Sequence, residues 1–216
     1  MNRIAFHFDV LSPYAWLAFQ QLPQALEGIS HVVDYQPVLL AGLLAHWQNK
    51  GPAETEPKRA WTYRQVAWLA HQQGTPLHLP RPHPFNPLAL QRLALAAAPA
   101  GGTPSRRTVA LLFRHVWCRD GADPNEPAAL AALHTTVAPQ RDPAGAEVKA
   151  ELRQRTEAAA AAGLFGVPTL VSDGRSFFGL DALPMLRAAL AGDAWFESPA
   201  WYDAGAQPPG TQRPVR

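Results

Sequence analysis

Ser12, Pro13, Tyr14 and Ala15 stand where an apolar strand pattern (residues 4–10) gives way to a helix pattern. A thiol–disulfide enzyme often places Cys-x-x-Cys at such a joint, because a helix N-terminus stabilises a thiolate. This chain has serine there and one cysteine in all, Cys118, so it can form no intrachain disulfide. The serine has a simple structural use, as an N-cap followed by proline at the first helical position. It also has a chemical use: its hydroxyl can donate to a ligand thiolate held at the helix N-terminus. A free thiol has a pKa of about 8.5, so ionising most of it at neutral pH takes roughly 2.7 kcal/mol. A hydrogen bond to a charged acceptor supplies about 1.5–3 kcal/mol. The helix N-terminus adds about 0.3–1 kcal/mol. A cysteine in this place would instead invite a mixed disulfide with the ligand. Serine holds a thiolate without consuming it.

The elements that must position Ser12 follow from periodicity. "IAFHFDV" (4–10) alternates as a strand, with Phe6 and Phe8 on one face. The helix pattern after Ser12 runs to Gly28, with Pro23 inside it, and "HVVDYQP" (31–37) is a second strand. A strand–helix–strand unit of this length pairs in parallel. Five helix patterns then follow, over residues 59–74, 86–99, 107–121, 126–137 and 145–163, separated by Pro/Gly loops. After them "VPTLV", the turn "SDGR" and "SFF" form a hairpin, and Asp181 is placed to cap a last helix. The order is βαβ, a helical block, then ββα. It predicts a thioredoxin-like α/β fold, residues 1–37 and 161–202, with an all-helical domain, residues 38–160, inserted between its halves. Residues 203–216, rich in Gly, Pro and Gln, are expected to be a disordered tail.

That fold sets "GVPT" (166–169) opposite the Ser12 helix and predicts a cis Val167–Pro168 bond. The backbone N–H and C=O of Val167 would then be free to pair with an extended peptide, as a sheet edge does. A short peptide bearing one thiol, such as glutathione, fits a site of this kind.

Composition narrows the classes. The chain has 216 residues, 47% of them hydrophobic and 17% charged, enough for a real core. Net charge is +2 and the arginines are scattered, which argues against nucleic acid. No apolar run approaches the length of a membrane span, and the N-terminus does not read as a secretion signal. A reducing cytoplasm is the expected compartment. His71, His78 and His83 flank a Pro-rich loop without regular ligand spacing, so no metal site is assigned. Cys118 is read as a buried small hydrophobe. Trp47, Trp61, Trp68 and Phe85 are read mainly as core, with some walling a pocket.

"FDVLSPYAWLA" (8–18), "NKGPAETEPKRAW" (49–61), "PFNPLALQRLALA" (84–96), "GLFGVPTLV" (163–171) and "FFGLDALPML" (177–186) together resemble the 2-hydroxychromene-2-carboxylate isomerases. These are bacterial relatives of the kappa-class glutathione transferases, in the disulfide-oxidase branch of the thioredoxin superfamily. The similarity covers about residues 4–202 in the family's order. The resemblance implies glutathione as cofactor and Ser12 as the serine that faces its thiol. It implies that Asn49, Lys58, Val167, Pro168 and Asp181 bind glutathione, Lys58 at the glycyl carboxylate end and Asp181 at the γ-glutamyl ammonium. The residue before that aspartate is usually polar in the relatives and is Leu180 here. The activity implied is interconversion of 2-hydroxychromene-2-carboxylate and trans-o-hydroxybenzylidenepyruvate, by a homodimer acting on small aromatic carboxylates. The alternatives are a glutathione transferase or peroxidase that consumes the thiol, and a non-catalytic thioredoxin-fold glutathione-binding protein.

Overall fold

The computed structural model describes residues 1–208 and Gly210. Strand β1 (Asn2–Phe8) buries Ile4, Phe6 and Phe8 on one face, as its alternation requires. Helix α1 (Pro13–Ala25) leads to β2 (His31–Pro37), which pairs with β1 in parallel from Asn2↔His31 to Phe8↔Pro37. Six helices follow: α2 (Leu40–His46), α3 (Glu56–Gln72), α4 (Leu88–Ala96), α5 (Arg106–Trp117), α6 (Pro127–Val137) and α7 (Ala146–Ala161). The chain returns to the sheet as β3 (Thr169–Ser172) and β4 (Arg175–Phe178). The two form a hairpin closed by Asp173 and Gly174, both at positive φ. β3 lies antiparallel to β1, so the sheet order is β2-β1-β3-β4. Helices α8 (Leu183–Leu190) and α9 (Pro199–Gly205) end the described fold. This is the expected thioredoxin-like α/β architecture, with the helices between its two halves.

One core joins the sheet to the intervening helices. Phe113 of α5 lies 5.3–5.8 Å, ring to ring, from Phe8, Trp16 and Phe19. Trp117 is fully buried and donates its indole N–H to Val10 O at 3.0 Å. Gln91 of α4, also fully buried, donates to Phe8 O and Val38 O, at the C-terminal ends of β1 and β2. A buried amide bonded twice to strand ends fixes α4 against the sheet more specifically than apolar contact does.

Several expectations need correction. Helix α2 had no counterpart in the sequence reading. Asp181 does not cap a helix: it lies inside a 3-10 turn, Leu180–Ala182, and α8 starts from Ala182 without a side-chain cap. Trp47, Trp61 and Trp68 are not core; they are 47%, 62% and 59% exposed, and only Phe85 is buried. The reason is register: α3 turns Thr62, Val66 and Ala70 inward, which leaves Trp61 and Trp68 outside. Cys118 is half-buried, at the C-terminal end of α5. Helix α9 takes in the first three residues of the expected tail; residues 209 and 211–216 lie outside the described part. Among the described residues no helix is long and apolar enough to cross a membrane.

Candidate functional site

The site begins at the joint between β1 and α1. Asp9, fully buried just past β1, accepts from Leu11 N at 3.0 Å and Leu40 N at 2.9 Å, which shapes the loop leading to Ser12. Burial pushes the Asp9 carboxyl up to about 6, against the smaller opposing effect of these two N–H donors. His83 supports the same loop from outside, with Nε2 2.9 Å from Leu11 O and Nδ1 2.8 Å from the Tyr63 hydroxyl. A carbonyl can only accept, so Nε2 carries the proton; burial lowers the ring's pKa and keeps it neutral.

Ser12 has N-cap geometry, φ −86° and ψ 117°, and is 5% exposed. Its Oγ accepts from Ala15 N at 3.2 Å and donates to Val167 O at 3.3 Å. The Val167–Pro168 bond is cis, as expected. The Val167 carbonyl, expected to be free, is thus engaged by Ser12. The Val167 N–H has no partner among the described residues. Rotation about the serine C–O bond is enough to turn the hydroxyl proton from Val167 O to an anion beside it.

In front of Val167 and Pro168 lies a cavity of about 550 Å³. Tyr14 and Gln21 of α1 wall one side, and Gln65 and Leu69 of α3, with Gln73 at its C-cap, another. Gly179, Leu180 and Asp181 close it. Tyr14 donates its hydroxyl to Gln65 Oε1 at 2.6 Å. Burial, with a smaller contribution from the Asp181 charge, raises the Tyr14 pKa, while Thr62 opposes the shift; the phenol stays protonated. Gly179 has φ +93°, and a Cβ added there would lie 2.5 Å from Asp181 Oδ1. The carboxylate therefore folds over this glycine, in space that no other residue leaves open. Gly179 N also donates to Pro168 O at 2.9 Å and ties the two loops together. Asp181 has no ion-pair partner among the described residues.

A larger cavity, about 740 Å³, lies on the other face of α3 around Tyr63 and His83. It is lined by His78 and His83 but by none of the residues expected to bind glutathione. Val167, Pro168 and Asp181 line the smaller cavity, and Ser12 stands behind its wall, joined to it by the bond to Val167 O; Asn49 and Lys58 are not part of the wall. Asn49 is exposed, with Oδ1 accepting from Lys50 N at 2.8 Å. It follows Trp47, whose indole N–H donates to Leu164 O at 2.9 Å, three residues before Val167. Lys58 is exposed in the first turn of α3. Positions 58, 62, 65, 69 and 73 fall on one helix face, so Lys58 continues the face that walls the cavity. Sequence reasoning missed Gln65 and Gln73, and the available signal was this same spacing along α3.

The fold and the Ser12–Pro168 junction define a thioredoxin-fold protein without its redox cysteines. The family model of the DsbA-like thioredoxin domain matches residues 3–191, and the chain belongs to that family. It is 27% identical to human (Homo sapiens) glutathione S-transferase kappa 1, over 90% of this chain and 92% of that protein. It is also 27% identical to the 2-hydroxychromene-2-carboxylate isomerase of Sphingobium xenophagum, over 88% of this chain and 98% of that protein. Among solved structures, a 2-hydroxychromene-2-carboxylate isomerase superposes with a TM-score of 0.75 at 21% identity, over 95% of this chain and all of that one.

Proposed function

We propose that this protein is a glutathione-dependent isomerase that interconverts 2-hydroxychromene-2-carboxylate and trans-o-hydroxybenzylidenepyruvate, or carries out a related cis/trans isomerisation in aromatic catabolism. The observation that carries the reading is the buried Ser12 hydroxyl, which caps α1 and points at Val167 O beside cis-Pro168, where no cysteine stands to trap a thiol. The residues fit the tripeptide: a Val167 N–H and an Asp181 carboxylate that have no partner among the described residues, both lining a cavity of about 550 Å³. Bound glutathione would supply a thiolate that adds reversibly to the conjugated enone, so that the former double bond rotates before elimination restores it. Ser12 and the α1 N-terminus hold that charge, the Val167 N–H holds the peptide backbone, and Asp181 receives the ammonium. Lys58 reaches the glycyl carboxylate end from the continuation of the α3 face that walls the cavity, and Asn49 reaches the tripeptide from the loop after α2. The reading includes a reducing cytoplasm, consistent with the single Cys118, and a homodimer.

Kappa-class relatives at 27–28% identity favour a second reading, a transferase or peroxidase that consumes the thiol. Substoichiometric glutathione separates the two. An isomerase turns over many chromene carboxylate molecules per glutathione and leaves the free-thiol count unchanged. Loss of thiol in step with product would replace it by the transferase or peroxidase. Retention on immobilised glutathione without turnover of any electrophile would mean a binding protein.

A further inference from the structure

The peptide group that leads into Ser12 is held at both of its polar ends. Ser12 N donates to Asp9 O at 3.0 Å inside the loop, and Leu11 O accepts from His83 Nε2 at 2.9 Å. His83 lies 72 residues further along the chain, in the segment between α3 and α4. Leu11 precedes the helix, so its carbonyl has no place in the α1 ladder, which starts with Ser12 O accepting from Trp16 N. Among the described residues its one partner is His83. The ring is itself set from several sides. Tyr63 Oη is 2.8 Å from Nδ1 and 3.0 Å from His83 O, so one hydroxyl fixes both the imidazole and its backbone. Tyr63, Phe85 and Trp117 pack around it, with ring centroids 5.4–6.1 Å away. Trp117 in turn donates to Val10 O at 3.0 Å, one residue earlier in the loop. The inserted segment therefore holds the two successive carbonyls before Ser12, and His83 has the nearer one.

We propose that His83 is a positioning residue for Ser12: by holding Leu11 O it fixes the peptide plane from which the serine hydroxyl meets a ligand thiolate. The inference rests on the glutathione reading and deepens it. A serine that is 5% exposed has little room to correct a tilt of its own backbone. Its Oγ is also 3.3 Å from Val167 O, longer than the usual distance of about 2.7–2.8 Å for a hydroxyl donor, so that contact anchors it weakly. Without His83 the Leu11–Ser12 plane keeps only the bond to Asp9 O and can rock about it. A thiolate needs the hydroxyl proton aimed at it, and a hydrogen bond weakens steeply as its angle falls. A misplacement on the order of 1 Å can cost about 100-fold in rate. The ring does not contact the thiol itself, because its Nε2–H is taken by a carbonyl and its Nδ1 by Tyr63. It acts through Ser12.

The test is the pKa of bound glutathione, read from thiolate absorbance against pH on the full chain, together with kcat and KM. His83→Phe keeps an aromatic ring among Tyr63, Phe85 and Trp117 and removes the N–H. It should raise the thiolate pKa by about one unit, the weakening of one charge-assisted bond. At neutral pH kcat should fall about tenfold, with KM for glutathione nearly unchanged. His83→Gln, whose amide can present an N–H near the Nε2 position, should restore both. His83→Asn is too short to reach Leu11 O and should give the same shift as His83→Phe, so the result does not depend on one variant folding well. The deciding comparison is made in the Ser12→Ala background. There His83→Phe should leave the thiolate pKa where Ser12→Ala alone puts it, because the hydroxyl that His83 positions is gone. Equal shifts in both backgrounds would overturn the inference, since His83 would then act on the thiol independently of Ser12. So would an unchanged thiolate pKa in His83→Phe and His83→Asn with only a lower melting temperature, which would leave His83 a structural support. Wild-type protein that binds no glutathione overturns the glutathione reading itself, a result distinct from either.

Discussion

Ser12 makes two hydrogen bonds through one oxygen, and they belong to different functions. Accepting from Ala15 N caps α1; donating to Val167 O keeps the proton next to the cavity. Removing the hydroxyl should therefore have two separable effects. Ser12→Ala loses the cap, at about 0.5–2 kcal/mol of stability. It should also raise the pKa of bound glutathione by about one to two units, through the loss of one charge-assisted bond. Turnover at neutral pH should fall and partly recover as pH rises toward the free-thiol value. Affinity should change less, because the tripeptide is held at its ends. The ultraviolet absorbance of the thiolate, titrated against pH with each protein, reads this directly. Superimposable titrations with only a lower melting temperature would reduce Ser12 to a cap. Residues of this kind were legible because a serine at a strand–helix joint is a local signal. Asp9 was not, although it lies in the stretch 8–18: its role depends on what the fold buries.

At the scale of elements, legibility followed periodicity. β1 and β2 were readable from alternation and from Pro37, and five of the six intervening helices from their Pro/Gly boundaries. Helix α2 was missed because "LAGLLAH" is short, carries a mid-segment glycine and has no capping side chain. Its existence is explained by packing on α7. A Cβ at Gly42 would lie 2.6 Å from Thr156 Cγ2, so the two helices meet at a contact only glycine permits. Thr156 Oγ1 also accepts from Leu39 N at 3.0 Å, which orients the start of α2. Gly42→Ala raises helix propensity by about 1 kcal/mol in isolation. Here overpacking should reverse the sign, with a net loss on the order of 1–2 kcal/mol. Thr156→Ser removes the colliding methyl and retains the hydroxyl, so the double variant should recover most of that loss. Denaturant melts of the four proteins form the cycle, and an additive result would mean that the α2–α7 contact is not what requires glycine.

At the scale of the whole molecule, Asp9 joins what the sequence reading treated as separate parts. One oxygen takes Leu11 N in the loop to α1, and the other takes Leu40 N at the start of α2. Both bonds lie at the end of β1, beside the amide that Gln91 inserts from α4. The carboxyl is fully buried, and its pKa rises from 3.8 to about 6 on folding, chiefly through desolvation. As pH rises from about 4, the unfolded chain releases this proton first while the folded chain still holds it. Folding then binds an extra proton, so stability falls with rising pH until the folded group also ionises near 6. The full span corresponds to a loss on the order of 3 kcal/mol. Glu126 and Glu151, whose pKa values are lowered in the folded protein, act in the opposite direction: their stabilisation is lost as pH falls. The informative quantity is therefore the difference between wild type and Asp9→Asn, in which the other carboxylates cancel. Urea denaturation at closely spaced pH values from 4 to 7 should show wild type losing stability relative to the variant by a few kcal/mol as pH rises. A difference that stays constant across that window would mean the carboxyl at the junction of the strand, the serine loop and α2 is ionised in the folded protein throughout.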